Sequence, residues 1–377
     1  MNILIFLIIL IVLVLVHEFG HFFTAKRFGV RVDEFGFGFP PKIASFKKGE
    51  TEYSINALPF GGFVRIFGQG MDEVEVLKGN LESEAIVSEV DISRSLMHKP
   101  KWKQAIVMVA GICANFLLAW LLFSFGFMSG LPTSLGSSPK GYQLQDVNLV
   151  IVSVMPKSPA ENAGLKTGDK IISLKSGDET ISEITPDILK SFILSHVASG
   201  IEMGYTRGQD KTINKINILP AQNMADGKPG IGIAMDQIGI AKLPLFPALW
   251  EGAKLDWFVT KGTVVGLYTL IAQGIQGKGS FSEVTGPVGM VGIVGDAYKF
   301  GFVYLLSFAA LISVNLAIIN LLPFPALDGG RLFFLLIEKI KGSRMNPKVA
   351  NTANTVGFAI LIILMLLVTY HDVIKLF

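Results

Sequence analysis

Residues 3–25 read ILIFLIILIVLVLVHEFGHFFTA, a run in which the ionisable side chains are confined to His17, Glu18 and His21. A helix needs about 20 apolar residues to cross the hydrocarbon core of a bilayer, and this run has that length. No Lys or Arg precedes it and no small-residue cleavage pattern follows it, so a removable signal peptide is the less favoured alternative. The sequence therefore predicts a first transmembrane helix over residues 1–28.

The composition of the chain is that of a membrane protein. Half of the 377 residues are hydrophobic, only 17% are charged and the mean hydropathy is +0.52, which is too apolar for an ordinary soluble protein. The net charge of +3 is small and the basic residues do not run together with aromatic ones, which argues against a nucleic-acid surface. Cys113 is the single cysteine, so an intrachain disulfide is impossible.

Three later apolar segments are also predicted to cross the membrane. They cover residues 105–128, 300–337 and 355–376. Residues 244–276 contain a shorter apolar run next to tryptophans and charges, and we expect interfacial amphipathic helices there. The expected fold class is therefore a multi-pass α-helical membrane protein with four transmembrane helices and both termini on the same side.

Basic residues flank the predicted spans unevenly. Lys and Arg follow the first span, precede the second and occupy the connection between the last two. Because positively charged loops stay in the cytoplasm, the linker at residues 71–104, acidic in its first part, is predicted to be cytoplasmic. Both termini and the long segment between the second and third spans are then extracytoplasmic.

Two segments between the spans do not read as membrane helices. Residues 29–70 alternate strand-like stretches with Gly and Pro, which predicts a membrane-associated β-hairpin region or, alternatively, a small sheet on the cytoplasmic face. Residues 142–222 read as strand, helix and strand, with Ser158 as helix N-cap, Pro159 as first helical residue and Gly164 after the helix. This pattern resembles a PDZ domain, an α+β module that binds an extended peptide or chain terminus.

His17-Glu18-Phe19-Gly20-His21 is an HExxH motif inside the first predicted span. Histidines at positions i and i+4 share one face of a helix and can bind one metal ion, for which zinc is the best fit. Glu18 points about 100° away from His17, which suits a general base beside the metal. Ionisable groups at the centre of a membrane helix cost on the order of 3 kcal/mol each, and metal coordination compensates that cost. The alternative is a hydrogen-bonded structural cluster.

A catalytic zinc site usually has three protein ligands, and no further histidine follows the motif closely. Asp328, within NLLPFPALDGGR after the third apolar run, is the best candidate among the later carboxylates. Pro323 and Pro325 break the helix there, and broken helix at membrane depth lines a cavity. Asn320 is expected nearby, with an amide able to hold a substrate backbone or to orient a ligand. These prolines and Asn320 are the expected substrate contacts.

Together these motifs resemble the site-2 protease family of membrane-embedded zinc metalloproteases, and in particular its bacterial regulator of sigma-E protease group. The resemblance covers nearly the whole chain and rests on HEFGH at 17–21, GFGF at 36–39, GICANF at 111–116, GPVG at 286–289 and NLLPFPALDGG at 320–330. It implies that His17, His21 and Asp328 bind Zn²⁺, that Glu18 is catalytic and that Asn320 handles substrate.

The resemblance also implies a function. Such proteases carry out regulated intramembrane proteolysis of single-pass membrane proteins, with anti-sigma factors or remnant signal peptides as substrates, in the bacterial plasma (inner) membrane. The strand region is implicated in receiving the substrate, and its edges near residues 36–39 and 61–64 could hold an extended segment. Gly36, Phe37 and Gly38 are the expected contacts. The sigma-E enzymes carry two PDZ domains, whereas residues 142–222 have room for one.

Three other interpretations stay open. A metal-handling membrane transporter could use the same three ligands, although four spans without an internal repeat suit it poorly. A non-catalytic scaffold could use the PDZ-like module, although the intact HExxH and LDG motifs argue against it. A membrane metalloprotease that cuts soluble loops is the nearest alternative.

Overall fold

The computed structural model describes residues 1–69, 93–197, 199–208, 210, 212–224, 227, 229–277 and 285–374. Most of the predicted acidic linker and the last residues of the predicted fourth span lie outside this part of the chain. The chain forms two compact units, described separately below. The first comprises Met1–Phe123, Gly252–Asp296 and Ser307–Phe377, and the second comprises Ser124–Glu251 and Ala297–Leu306.

Helices dominate the first unit and strands the second. In chain order the elements are α1 (Asn2–Arg27), β1 (Val32–Lys48), β2 (Thr51–Ile66), α2 (Lys101–Ser129), β3 (Leu131–Ser134), β4 (Gln145–Val154), α3 (Pro159–Asn162), β5 (Lys170–Ser176), β6 (Glu179–Ile181), α4 (Pro186–Ser195), β7 (Ile201–Thr206), β8 (Asn214–Ile218), β9 (Ile233–Ala241), α5 (Leu245–Ile275), α6 (Pro287–Phe300), α7 (Phe302–Leu321), α8 (Asp328–Lys341) and α9 (Pro347–Ile374).

Five helices within the described residues are long and apolar enough to cross a membrane, namely α1, α2, α5, α7 and α9. The sequence predicts four. The difference is α5, a single 31-residue helix where interfacial helices were expected. Its most apolar window has a hydropathy of 1.2, against 2.2 or more for the other four. Length and composition therefore admit a fifth crossing, and the four-span count stays a prediction.

The predicted break after the third span is present. Helix α7 ends at Leu321 and α8 begins at Asp328. Pro323 and Pro325 occupy the connection, and proline cannot continue a helix because its ring clashes with the preceding turn. Apolar side chains of α7 pack on α2 and α5, and the buried members of this cluster are Ala119, Phe123, Ala310, Val314 and Ile318.

Helices α1 and α2 approach each other closely at Gly20. A β-carbon at this position would lie 2.4 Å from the carbonyl oxygen of Ala110. Only glycine therefore allows the backbone of α2 to reach the face of α1 that carries the HExxH motif. Near the end of α1 the two helices share a buried apolar cluster with the strands: Ala25, Val30, Val32, Ile66, Leu96, Val107 and Met108.

The strands β1 and β2 form an antiparallel sheet in which β2 folds over β1. Residues 34–37 of β1 pair with residues 62–65 on one side and with residues 52–55 on the other. The first half of β2 also pairs with residues 42–48 of β1. The segment Gly62–Ile66 therefore lies at an edge of this sheet, while residues 34–37 are interior.

The second unit contains a seven-stranded antiparallel sheet in the order β3, β9, β4, β5, β7 and β8, with β6 paired to β5. Its core includes Leu149, Ile151, Leu174, Leu189 and Met203, which are almost completely buried. The capping prediction at α3 is confirmed, because the Ser158 side chain accepts a hydrogen bond from the Glu161 amide and Pro159 opens the helix. The sheet extends beyond the expected 142–222 module through β3 and β9.

Candidate metal centre and active site

The two histidines of the HExxH motif lie on one face of α1 and are buried, with 7% and 5% of their surface exposed. Gly111 of α2 provides the space for the His21 ring, since a β-carbon there would lie 2.3 Å from its Nε2 atom. The Nδ1 atom of His21 donates to the carbonyl oxygen of Val107 at 2.8 Å. A carbonyl only accepts, so this bond fixes the proton on Nδ1 and leaves the lone pair of the neutral ring on Nε2.

Asp328 is the first residue of α8, and a tight loop places it beside these rings. Ala326 adopts a left-handed backbone conformation with φ of 75°, and its amide donates to the Asn354 side chain. A β-carbon on Gly329 or Gly330 would lie 2.2 Å from the carbonyl oxygens of Leu322 and Phe324 respectively. The two glycines are therefore required for the loop to fold back on the start of α8.

Three ligand atoms converge at the centre of the site. His17 Nε2 and His21 Nε2 lie 3.0 Å and 3.1 Å from Asp328 Oδ2, and 3.2 Å from each other. Ligand atoms of a tetrahedral zinc site lie about 3.3 Å apart when metal–ligand bonds are about 2.0 Å. Among the His, Cys, Asp and Glu side chains of the described residues, these three lie close enough together to hold one metal ion. The donor set of two imidazoles and one carboxylate fits a zinc ion with one position open for water or substrate.

A cavity of about 300 Å³ opens beside these ligands. Glu18 faces it from α1, one residue after His17, and Asn320 faces it from the end of α7. The edge segment of β2 provides another wall through Phe63 and Val64. The site therefore combines a candidate metal centre, a free carboxylate and a strand edge in one space, which is the combination that peptide hydrolysis needs.

Similarity to known proteins agrees with this geometry. The model of peptidase family M50 matches residues 5–364. The chain belongs to peptidase family M50. It is 32% identical over 437 residues to the regulator of sigma-W protease RasP of Bacillus subtilis, an alignment that covers 99% of this chain and 98% of that protein. The zinc metalloprotease RasP of Geobacillus kaustophilus is 29% identical over 440 residues, with 99% and 97% covered.

A third relative is a Clostridium acetobutylicum protein that carries the provisional name of zinc metalloprotease. It is 33% identical over 373 residues, which cover 99% of this chain and 97% of that protein. These relatives match the M50 chain over almost its full length. Membership of this family, together with the apolar helices, makes the chain a membrane protein.

Of the residues predicted to contact substrate in this M50 chain, the structure places some at the cavity and others away from it. Asn320 lines it, whereas Pro323 and Pro325 shape the loop without lining it. Gly36, Phe37 and Gly38 do not line it either, and the Asn56 amide donates to the carbonyls of the latter two. Gly36 has an indirect role, because a β-carbon there would lie 2.4 Å from the Phe63 ring that forms the wall. Gly36 and Phe37 are interior to the sheet, because each pairs with one half of β2 on either side.

The other carboxylates weighed against Asp328 have separate roles in this M50 chain. Glu338 forms an ion pair with Lys101. Asp372 accepts hydrogen bonds from the amides of Gly286 and Gly289 at 3.1 Å and 2.8 Å. These two hydrogen bonds explain the GPVG motif. The Asp372 carboxylate caps amides at the start of α6 that have no partner within the helix.

Phe63 and Val64 belong to the second strand edge predicted to receive substrate, and both line the cavity. Gln69, Leu316 and Arg331 also line it, and these three were not predicted from the sequence. Arg331 lies three residues after Asp328, a spacing that places both side chains on one face of a helix, so the sequence already indicated Arg331 as a neighbour of the site. Asn115 was also missed, although a polar residue in the middle of an apolar span is a functional signal by itself. Its amide lies 3.3 Å from His17.

Proposed function

We propose that this chain is a zinc metalloprotease that hydrolyses peptide bonds of membrane-anchored proteins within the bilayer. The observation that carries the proposal is the convergence of His17, His21 and Asp328 on one point, beside Glu18 and inside a bundle of apolar helices. Isolated ionisable groups at this depth are unfavourable, and a shared cation compensates for burying all three. Family membership and the zinc metalloprotease names of the relatives support the same conclusion.

The chemistry follows from the residues around the site. His17, His21 and Asp328 would hold the zinc ion, which when bound would polarise the scissile carbonyl and lower the pKa of water at the site to about 7. Glu18 is the general base, since its carboxylate faces the same cavity and accepts the proton of the attacking water. The protonated carboxyl then gives this proton to the leaving amine. Arg331 and Asn320, which line the cavity, supply N–H donors for the backbone of the substrate.

The edge segment Gly62–Ile66 is the proposed docking strand for the substrate. A transmembrane helix hides its carbonyls in its own hydrogen bonds, so the segment to be cut must first become extended. An extended segment adds to a sheet edge through backbone hydrogen bonds. A β-carbon on Gly62 would lie 3.6 Å from Glu18 Cγ, so this edge passes directly beside the base. Of the two strand segments expected to receive substrate, the second is therefore the one we retain.

The substrates proposed are single-pass membrane proteins, either anti-sigma factors or remnant signal peptides. The name of the B. subtilis relative, regulator of sigma-W protease, supports a regulatory substrate. We further propose the bacterial plasma membrane as the location, with both termini and the second unit extracytoplasmic. This topology counts α1, α2, α7 and α9 as the crossings. The mixture of tryptophans and charged residues in α5, the least apolar of the five long helices, supports leaving α5 out of that count.

A peptide-binding role for the PDZ-like unit completes the proposal. A groove of about 430 Å³ lies between β6 and α4, and its lining includes Ile181, Ile188 and Phe192. Strand β6 pairs with β5 alone within the described residues, so its other edge is available to an extended peptide. A peptide or chain terminus of the substrate would occupy this groove before cleavage.

The decisive experiment uses the purified chain in lipid nanodiscs with a single-pass membrane substrate. Wild-type protein is expected to contain one zinc ion and to cut the substrate within its apolar segment. Glu18→Gln is expected to retain zinc and lose cleavage, whereas Glu52→Gln, at a partly exposed carboxylate outside the cavity, keeps both. Turnover by the Glu18→Gln protein would refute the assigned base. A cut confined to soluble loops, or zinc flux without cleavage in proteoliposomes, would favour the alternatives.

A further inference from the structure

One face of α2 contacts both histidines of the HExxH motif. Val107, Gly111 and Asn115 are spaced four residues apart and therefore lie on the same side of the helix. The first holds the ring of His21 through its carbonyl, the second leaves space for that ring, and the third reaches the ring of His17. Helix α2 is thus positioned to orient both imidazoles, although it contributes no ligand.

The contact with His21 shows what orientation a metal-binding imidazole needs. Its Nδ1 proton is donated to an acceptor, so that the Nε2 lone pair faces the metal. His17 requires the same arrangement, because its Nε2 atom is also the one that faces Asp328. An acceptor beside its Nδ1 atom is therefore required.

Asn115 is the side chain at that position, and its amide has one unsatisfied group. The residue is completely buried, and its Nδ2 atom lies 3.3 Å from His17 Nδ1. Its Oδ1 atom is buried and has no hydrogen-bond partner within the described residues. In this orientation the amide donates to Nδ1, and the proton of the neutral ring is left on Nε2, where it points at Asp328.

We propose that Asn115 is a positioning residue for His17 and that its amide turns over when zinc binds. A rotation of 180° about the Cβ–Cγ bond exchanges Oδ1 and Nδ2 within the same space. Oδ1 then accepts the Nδ1 proton, so the ring stays neutral while its proton moves from Nε2 to Nδ1. The Nε2 lone pair becomes free for the metal, and Oδ1 gains a partner while Nδ2 gives up its contact with Nδ1. The Ser313 hydroxyl donates to the Asn115 carbonyl at 2.8 Å and fixes this turn of α2 against α7.

The inference rests on the proposed zinc site, and its test uses metal binding rather than cleavage. The zinc affinity of the full chain is measured by competition with a chelator for wild type and for Asn115→Leu, Asn115→Asp and Ser313→Ala. Leucine has a similar size but no hydrogen-bond acceptor, so the zinc affinity of Asn115→Leu is expected to fall by about 10–100-fold. Aspartate keeps an acceptor at the same position and is expected to stay within a few-fold of wild type. Ser313→Ala perturbs the neighbouring backbone without touching the amide, so it should also stay close to wild type.

A spectroscopic measurement separates orientation from packing. Nitrogen-15 NMR of the wild type is expected to show the His17 proton on Nε2 without metal and on Nδ1 with zinc, and this readout applies even if the leucine variant does not fold. Wild-type zinc affinity in Asn115→Leu, equal loss in Asn115→Leu and Asn115→Asp, or a proton already on Nδ1 in the metal-free wild type would each overturn the inference. Absence of zinc binding by the wild type would instead contradict the proposed function itself.

Discussion

His17 Nε2 lies 3.0 Å from Asp328 Oδ2, although 311 positions separate the two residues in the chain. The contact joins the first helix to the start of α8 and brings in His21 as the third member. Each side chain on its own would be unfavourable in an apolar bundle. A common ligand role accounts for all three, and this relationship has direct consequences for metal binding.

Replacing Asp328 by alanine is expected to abolish stoichiometric zinc binding, because two histidines and water hold the metal much less tightly than the full set of three ligands. The measurement is zinc content after purification and dialysis. Glu338→Gln is the matched control, since this carboxylate belongs to the same helix but pairs with Lys101. Full zinc content in Asp328→Ala would remove this residue from the site.

Gly111→Ala is expected to weaken zinc binding by displacing the His21 ring. The added β-carbon would lie 2.3 Å from Nε2, which no rotamer change of alanine can relieve. Gly262→Ala in α5 is the control, because nothing lies within 4 Å of a β-carbon there. The control should gain up to about 1 kcal/mol in helix stability. Equal zinc affinity in Gly111→Ala and wild type would contradict the assigned packing.

Phe63→Ala is expected to raise the KM for a membrane substrate while zinc content stays unchanged. The ring forms a wall of the cavity, and its loss removes apolar contact area worth about 1–3 kcal/mol, or roughly 5–150-fold in binding. Phe46→Ala in β1 of the same sheet is the control, since this ring is largely exposed and stacks on Tyr53. Steady-state kinetics with a membrane substrate distinguish the two variants. An unchanged KM in Phe63→Ala would argue against substrate docking at β2.

Glu50 should make the stability of the strand region depend on pH. Burial raises the pKa of its carboxyl, but hydrogen bonds from Lys26 and Arg94 outweigh this effect and hold the pKa below its usual value. The stabilisation is therefore complete above the unfolded-state pKa and is lost as the pH falls through the folded-state pKa. Partly exposed pairs contribute about 1 kcal/mol or less.

The test compares thermal unfolding of wild type and Glu50→Gln between pH 3 and pH 7. The variant is expected to be less stable at pH 7, and the difference should vanish at the acidic end. A difference that grows as the pH falls would have the wrong sign. Glu52→Gln in the same hairpin is the comparison. A hydrogen bond from Lys42 also lowers the pKa of Glu52, but this pair lies in solvent, so its pH-dependent effect on stability should be smaller than that of Glu50.

Arg207→Ala is expected to destabilise the PDZ-like unit by about 3 kcal/mol or more. The guanidinium binds both carboxylate oxygens of Asp169, at 2.6 Å and 2.7 Å, and Asp169 is completely buried. Removing the cation leaves a buried charge without its partner, which is the costly way to break an ion pair. Proteolysis within residues 142–222 or hydrogen exchange measures the effect. Wild-type protection in the variant would show that the pair is dispensable.

Much of the architecture was predictable from local patterns. The apolar runs correspond to α1, α2, α7 and α9, because the length of apolar sequence that a bilayer requires is set by its thickness. The break between Leu321 and Asp328 followed from Pro323 and Pro325, since proline ends a helix wherever it occurs. The HExxH motif could be recognised as a ligand pair because a four-residue spacing places both rings on one helical face.

The sequence was less informative wherever the answer depended on distant parts of the chain. Gly36, Phe37 and Gly38 were expected to contact substrate, but none of the three lines the cavity, and Gly36 and Phe37 are interior to the sheet. Which strand lies at an edge depends on pairing between segments, and this is not encoded in the composition of either one. Residues 244–276 had an ambiguous mixture of apolar and charged residues, and the structure joins them into α5.

The local sequence was thus sufficient for four of the long apolar helices, the helix break and the shared face of His17 and His21, since each depends on residues within a turn or two of one another. The tertiary structure was needed to bring Asp328 to the histidines and to place the Asn115 amide beside His17. It was also needed to show that Gly62–Ile66, rather than Gly36–Gly38, borders the cavity. These relationships arise where helices and strands from separate parts of the chain pack together, and packing is determined by the shapes of both partners at once.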